Sequence, residues 1–257
     1  MENEIVKQEA KAVAVREAIP AEEQFVPLDS QDALPLPRLI LAQGGLNNKL
    51  IKEGAAKDGE LLNSLSHDIY GSEVEVVLLF QLPNARIRWI PKTEGGGIRC
   101  KARDGNNAFG VNVGEESPSN LPASHSCPEC PLYNLRDGKT GCSSNYQIVG
   151  MVRSTKEPIL FTGDIIKPSD RGIRDMLGLA RSNYQTRKLA IFNLSYVIKS
   201  VAAESKGFNF FKMAVSIGNN NQPLPQDEID FYESQFRLLK GSKIEVVEDE
   251  EGAPKDW

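Results

Sequence analysis

The chain has 257 residues, 40% of them hydrophobic and 25% charged, which suits one medium domain with tails or two small ones. Its longest apolar runs, such as residues 76–80, fall far short of the roughly 20 residues that span a bilayer. Met1-Glu2-Asn3-Glu4 also lacks the basic-then-apolar opening of a secretory signal, so a cytoplasmic protein with no membrane contact is expected. The net charge of −5 is unevenly spread. Residues 1–72 carry 7 Lys/Arg against 12 Asp/Glu, residues 73–225 carry 19 against 13, and residues 226–257 carry 4 against 10. A basic centre between acidic ends is the pattern of a core that binds a polyanion, with competing tails.

In chain order, residues 1–34 mix Glu, Ala, Lys and Gln with little apolar pattern and read as a disordered arm. Pro35 and Pro37 break the chain before Leu39. Residues 44–71 are Gly-, Asn- and Lys-rich with one short apolar segment at 61–65, and read as a loop with a helical turn. Residues 73–82 form a β-branched, apolar strand that Pro83-Asn84 should end, with 85–90 following at hairpin distance and 97–103 as a third strand. Residues 104–144 are turn-rich, and the β pattern resumes at 146–152 and 159–162. Ser169 can cap a helix with Asp170 in its first turn and Ile173, Met176, Leu177 and Ala180 on one face. Two long strands follow, 190–201 and 208–217, joined by a turn at 204–207. A last helix is expected over about 226–240, with Ile229, Tyr232, Phe236 and Leu239 on one stripe and Gly241 as its stop. Short strands joined locally around one mid-chain helix predict a mainly β, α+β protein with a small Greek-key barrel. The expected organisation is an arm at 1–34, a core at 35–225, a helix at 226–241 and an acidic tail at 242–257.

Cys127-Pro128-Glu129-Cys130 is a Cys-x2-Cys pair among turn-forming residues, a spacing that lets both sulfurs meet one metal. Cys100 stands 27 residues before the pair and Cys142 stands 12 after it, preceded by Gly138 and Gly141. Together the four supply the soft donors that tetrahedral Zn²⁺ takes, and with no open position the site would be structural. His125 is an alternative fourth ligand. A redox Cys-x2-Cys would need the strand-to-helix context that is missing here, and two unrelated buried cysteines beside a turn pair is the remaining explanation.

Strand 208–217 alternates Asn209, Phe211, Met213, Val215 and Ile217 with Phe208, Phe210, Lys212, Ala214 and Ser216. The first set is the core side. On the second, two rings and a cation fit stacked bases and a phosphate, unless the C-terminal helix covers them. Arg99, Lys101 and Arg103 share one face of their strand, and Arg86 and Arg88 share one opposite Ala85, Ile87 and Trp89. Arg171, Arg174 and Arg181 fall on one helical stripe. Catalytic constellations are missing: there are two histidines, His67 and His125, and Gly95-Gly96-Gly97 lacks the Lys-Ser/Thr of a P-loop. No nuclease-like acidic cluster stands out either, so a non-enzymatic protein is expected.

Gly59-Glu60-Leu61-Leu62-Asn63-Ser64-Leu65, Arg88-Trp89, Arg99-Cys100-Lys101-Ala102-Arg103-Asp104-Gly105, Cys127-Pro128-Glu129-Cys130-Pro131 and Cys142 resemble phage and prophage single-stranded DNA-binding proteins with a zinc insertion. The resemblance covers roughly residues 35–220. It implies an OB-fold core, a zinc-ribbon-like insertion at about 100–145 holding one structural zinc, sequence-tolerant binding of single strands, and roles in replication, recombination and repair. At the end of the chain, Glu248, Asp249, Glu250 and Glu251 lead to Asp256 and Trp257. This is similar to the acidic tails by which such proteins recruit replication and recombination partners, although those usually end in Phe. A zinc-ribbon scaffold or transcription regulator that contacts a polymerase, and a recombination protein that anneals strands, are the alternatives.

Overall fold

The computed structural model describes residues 34–44, 49–89, 98–102, 104–110, 124–130, 142–164, 171–205, 207–242 and 244–246. The arm before residue 34, the capping Ser169, the acidic residues 248–251 and 256, and Trp257 lie outside them. The described chain is mainly β with helices set on the sheet, as expected for an α+β protein. In order it forms β1 (Leu34–Leu36), β2 (Leu39–Leu41), a single helical turn α1 (Lys49–Lys52), β3 (Leu61–Asn63), β4 (Ile69–Gly71), β5 (Glu73–Trp89), β6 (Ile98–Ala102), β7 (Asn107–Gly110) and β8 (Ser124–Ser126). Then come β9 (Ser143–Val152), β10 (Pro158–Asp164), α2 (Arg171–Arg187), β11 (Ser195–Ser205), β12 (Phe208–Ile217), α3 (Gln226–Gly241) and β13 (Ile244–Val246). No described helix is long and apolar enough to cross a membrane.

The 17-residue strand β5 organises the molecule. Val76 and Leu78 face one apolar cluster while Val77 and Leu79 face another, which is why the run is continuously apolar instead of alternating. β5 pairs antiparallel with β9 along most of its length, with β11 near its start and with β6 near its end. The hairpin expected at Pro83-Asn84 is therefore absent. The strand runs through, with register shifts against β9 between Leu78 and Phe80 and between Leu82 and Ala85. Proline lacks the N–H a ladder needs, so it sits at an irregularity of this kind, and the Gln147 amide donates to its carbonyl at 2.7 Å.

The stretch expected as a loop with a helical turn does hold the turn α1, but part of it is sheet. Leu61 and Leu62 are fully buried and form β3, the middle strand of a small sheet with β2 and β4. Burial on both sides outweighs the loop-like composition around them.

On one side of the main sheet, α2 sets Ile173, Met176, Leu177 and Ala180 into a core with Val74, Val76, Leu78, Phe161 and Met213. It packs against both β10 and β12, which are not paired with each other, so no closed barrel is present among the described residues. The opening is occupied by α2 and by the stretch 36–43. Arg38 bridges to Leu160 on β10, and Gln43 Oε1 accepts the Phe211 N–H of β12 at 3.2 Å.

On the other side, α3 lays Tyr232 and Leu239 over Val77, Leu79, Val149, Met151 and Leu160, with Phe236 edge-on to Phe80 at 5.9 Å. This cluster contains no residue of β12, so α3 leaves the Phe208 face alone. The first residues expected to form the tail instead make β13, which pairs in parallel with β1.

An ion cluster locks the start of α3 to the β9–β10 turn. Arg153 donates to both carboxylate oxygens of Glu228, at 2.7 and 3.0 Å, and to Glu75 at 2.8 Å. The Arg153 guanidinium holds the Glu228 carboxyl below its ordinary pKa. A depressed folded-state pKa adds stability above the ordinary carboxylate range, and that stability is lost as pH falls through the depressed value. Glu228→Gln should therefore lower stability at neutral pH by about 1.5–3 kcal/mol, toward the low end because the pair is partly exposed. In urea unfolding the gap from wild type should close as pH drops through and below the carboxylate range. A gap independent of pH would assign the loss to packing.

Candidate metal centre and nucleic-acid surfaces

Beyond Leu82, β5 leaves the main core and pairs with β6, and β6, β7 and β8 continue as a short antiparallel sheet. Cys100 lies on β6, Cys127 and Cys130 occupy the turn after β8, and Cys142 immediately precedes β9. The turn is tight: the Cys130 N–H donates to Cys127 O at 3.1 Å, and the Cys127 N–H to Asn106 O at 2.6 Å. Asp104 fixes the neighbouring loop by accepting the backbone N–H groups of Asn106 and Asn107 at 2.9 and 2.7 Å, bonds that hold its carboxyl below the usual range.

All four cysteines line one cavity of about 10 Å³, together with Ala102, Ala108, Arg86 and Arg88. That is roughly the space of one water-sized sphere. Cys100, Cys127 and Cys130 are buried, Cys142 is half-buried, and all are free thiols. Burial, followed by the three neighbouring cysteines, pushes Cys100 up to about 11. Burial raises Cys127 and Cys142 as well, against the opposing influence of nearby guanidinium groups.

Among the described residues, no group of three or more His, Cys, Asp or Glu stands in metal-holding geometry. The donor set nevertheless fits a soft divalent cation. It offers four sulfurs, no carboxylate, a cavity of single-ion size, and two arginines able to offset thiolate charge. His125 lies on β8, but its side chain, like that of Arg99, is outside the described residues, as is Arg103 altogether.

The register splits the expected basic surface. Arg86 pairs with Ala102 and Arg88 with Cys100, so these arginines share the cysteine face. Ile87 pairs with Lys101, which puts Lys101 on the opposite face. The aromatic residues are elsewhere. On β12, Met213, Val215 and Ile217 serve the core as expected, while Phe208 is 66% exposed, Lys212 is exposed and Phe210 is half-buried. Lys199 pairs with Glu73 at the start of β5, and Ser205 pairs with Phe208 farther out along the same hairpin. Phe208 and Phe210 therefore stand beyond one end of β5, and the cysteine sheet grows from the other end.

Arg171, Arg174 and Arg181 are exposed on α2, with Arg181 donating to Gln81 at 3.0 Å. No protein-family model matches the chain, and neither a curated protein nor a solved structure matches it. One candidate residue was missed by sequence reasoning. Tyr184 is 63% exposed, one turn after Arg181. It continues the apolar series of Ile173, Leu177 and Ala180, so its spacing reads as core, and only the packing shows that the core ends before it.

Proposed function

We propose that the chain is a non-enzymatic, sequence-tolerant single-stranded DNA-binding protein with an OB-type core, acting in replication, recombination and repair in the cytoplasm. The observation that carries this reading is the β11–β12 ribbon, which extends past the core with an exposed Phe208 and Lys212 on one face. An exposed ring beside a cation has no folding role there. Stacked bases and a phosphate give it one.

The strand order supports the core type. β5, β9 and β10 form a meander, α2 follows, and the β11–β12 hairpin returns to pair with β5. Such an order is compatible with a five-stranded OB barrel whose β10 and β12 are left unpaired among the described residues. Cys100, Cys127, Cys130 and Cys142 would hold one structural Zn²⁺, which when bound would cross-link the insertion. The acidic segment containing Glu248–Glu251, Asp256 and Trp257 is assigned to replication or recombination proteins.

Fluorescence anisotropy with labelled single-stranded DNA, duplex DNA and RNA tests the reading. Unrelated single strands should bind with affinity that falls as salt rises. Phe208→Ala should weaken binding roughly 5- to 150-fold, and Phe210→Ala should fall toward the lower end because that ring is half-buried. Folded variants that both bind as wild type would remove the ribbon from the interface. A preference for duplex DNA, or for protein alone, would favour a zinc-ribbon scaffold.

A further inference from the structure

The two ends of β5 carry separate candidate contacts, and the sheet face between them is filled. Val77, Val149, Met151 and Leu160 are at most 3% exposed beneath α3. A strand that touches both ends must travel by another route. α2 supplies one. Its first turn lies against β12, where Gly172 meets the Met213 carbonyl, and its last residue, Arg187, reaches Asn221 beyond the end of that strand. Arg181 links the helix to the insertion: it donates to Gln81, Gln81 donates to Asn84 at 3.1 Å, and Asn84 O lies under Gly105 of the insertion's turn. The helix thus runs from the level where the aromatic ribbon departs to the foot of the cysteine sheet.

Its outward side is basic. Arg171, Arg174 and Arg181 are exposed on α2, Lys188 follows immediately, and Asp175 is the one acid of the helix. Arg174 and Arg181 are seven residues apart, about 10.5 Å along the axis, and exposed Tyr184 comes in the next turn. Between the two arginines stands Gly178, exposed, with nothing within 4 Å of where a Cβ would be. A glycine inside a helix weakens it, and no neighbour here excludes a side chain. Folding gives no reason for it, whereas a polynucleotide backbone lying directly on the helix does.

We propose that the outward face of α2 is a track for single-stranded nucleic acid between the β11–β12 ribbon and the cysteine insertion. Arg174 and Arg181 would meet phosphates, Gly178 would leave room for the backbone, and Tyr184, exposed where the core-side stripe runs out past Ala180, would stack a base at the edge of the track. The track rests on the single-strand-binding reading above.

Three variants test it: Gly178→Leu, Arg174→Ala and Tyr184→Ala. Each is compared with wild type by thermal melting and by anisotropy on a labelled single-stranded oligonucleotide across a salt series. Gly178→Leu should melt at or above the wild-type temperature, since leucine is the better helix former, yet bind at least about fivefold more weakly. Tyr184→Ala should lose a similar factor, and Arg174→Ala should reduce the salt slope by about one. If wild type binds single strands and all three folded variants match it in affinity and slope, the track is wrong and the ribbon alone carries binding. If wild type binds no single strand, the functional reading fails and the track falls with it. A Gly178→Leu protein that melts lower is judged on the other two variants, whose side chains are both exposed.

Discussion

Replacing any one of Cys100, Cys127, Cys130 or Cys142 by serine is expected to remove a single bound zinc ion and unfold the β6–β7–β8 insertion, while the main sheet persists. Among the described residues the insertion has little else to hold it: their buried apolar cluster there consists of Cys100, Ala102, Ala108 and Cys127. Side chains of that size bury too little surface to offset the ordering of several short strands. A structural zinc contributes apparent binding energies of about 10–16 kcal/mol, and for a segment with so small a core that energy is folding energy. Elemental analysis of protein purified without chelator should give one zinc per chain, and limited proteolysis should cut the serine variants inside the insertion first. Zinc-free wild type that resists proteolysis would end the idea. Full zinc retained in Cys100→Ser alone would make His125 the fourth ligand.

Gly150→Ala should be strongly destabilising for a change of a single methyl group in the main core. Gly150 sits in β9 between β5 and β10, opposite Leu78 and Ile159. An added Cβ would lie 2.6 Å from the Val77 carbonyl oxygen and 2.8 Å from the Phe161 ring. Val77, Leu78 and Phe161 are all fully buried, so none can move without disturbing the sheet or the α2 core. Overpacking of this kind costs about 1–3 kcal/mol, and contact with backbone on one side and a locked ring on the other places Gly150→Ala at the top of that range. The midpoint of urea unfolding should fall with the slope unchanged. Zinc content should stay at the wild-type level, which separates this lesion from the cysteine variants. A wild-type midpoint would mean that the bulge near Leu79 can absorb the methyl group.

Where one physical effect dominated, the elements were readable from residues alone. The alternation over residues 211–217 and the stripe through Ile229, Tyr232, Phe236 and Leu239 correspond to β12 and α3, because one-sided burial leaves a period in the sequence. Pro83 misled for the opposite reason. Proline signals a missing ladder bond, and whether the chain then turns or merely bulges depends on the partner strand, here β9 with its Gln147. Leu61 and Leu62 misled because a three-residue strand is too short to show a period.

The candidate site was half visible. The four cysteines converge as their spacing suggests, but alternation within single strands cannot reveal that Arg88 pairs with Cys100 while Lys101 pairs with Ile87. Register is a property of two strands, and so is the distance between the ribbon and the insertion. Tyr184 was hidden by its helical spacing, since periodicity cannot tell where a core stops.

The parallel pairing of Leu34–Leu36 with Ile244–Val246 gives the molecule a mechanical character. Tension applied through the segments preceding Leu34 and following Val246 pulls the two strands past each other along their length. The ladder bonds of the pair are then loaded together, in shear, and do not peel one at a time. Anything that tugs on both flanking segments meets this clasp before it meets α3 or the sheet beneath it.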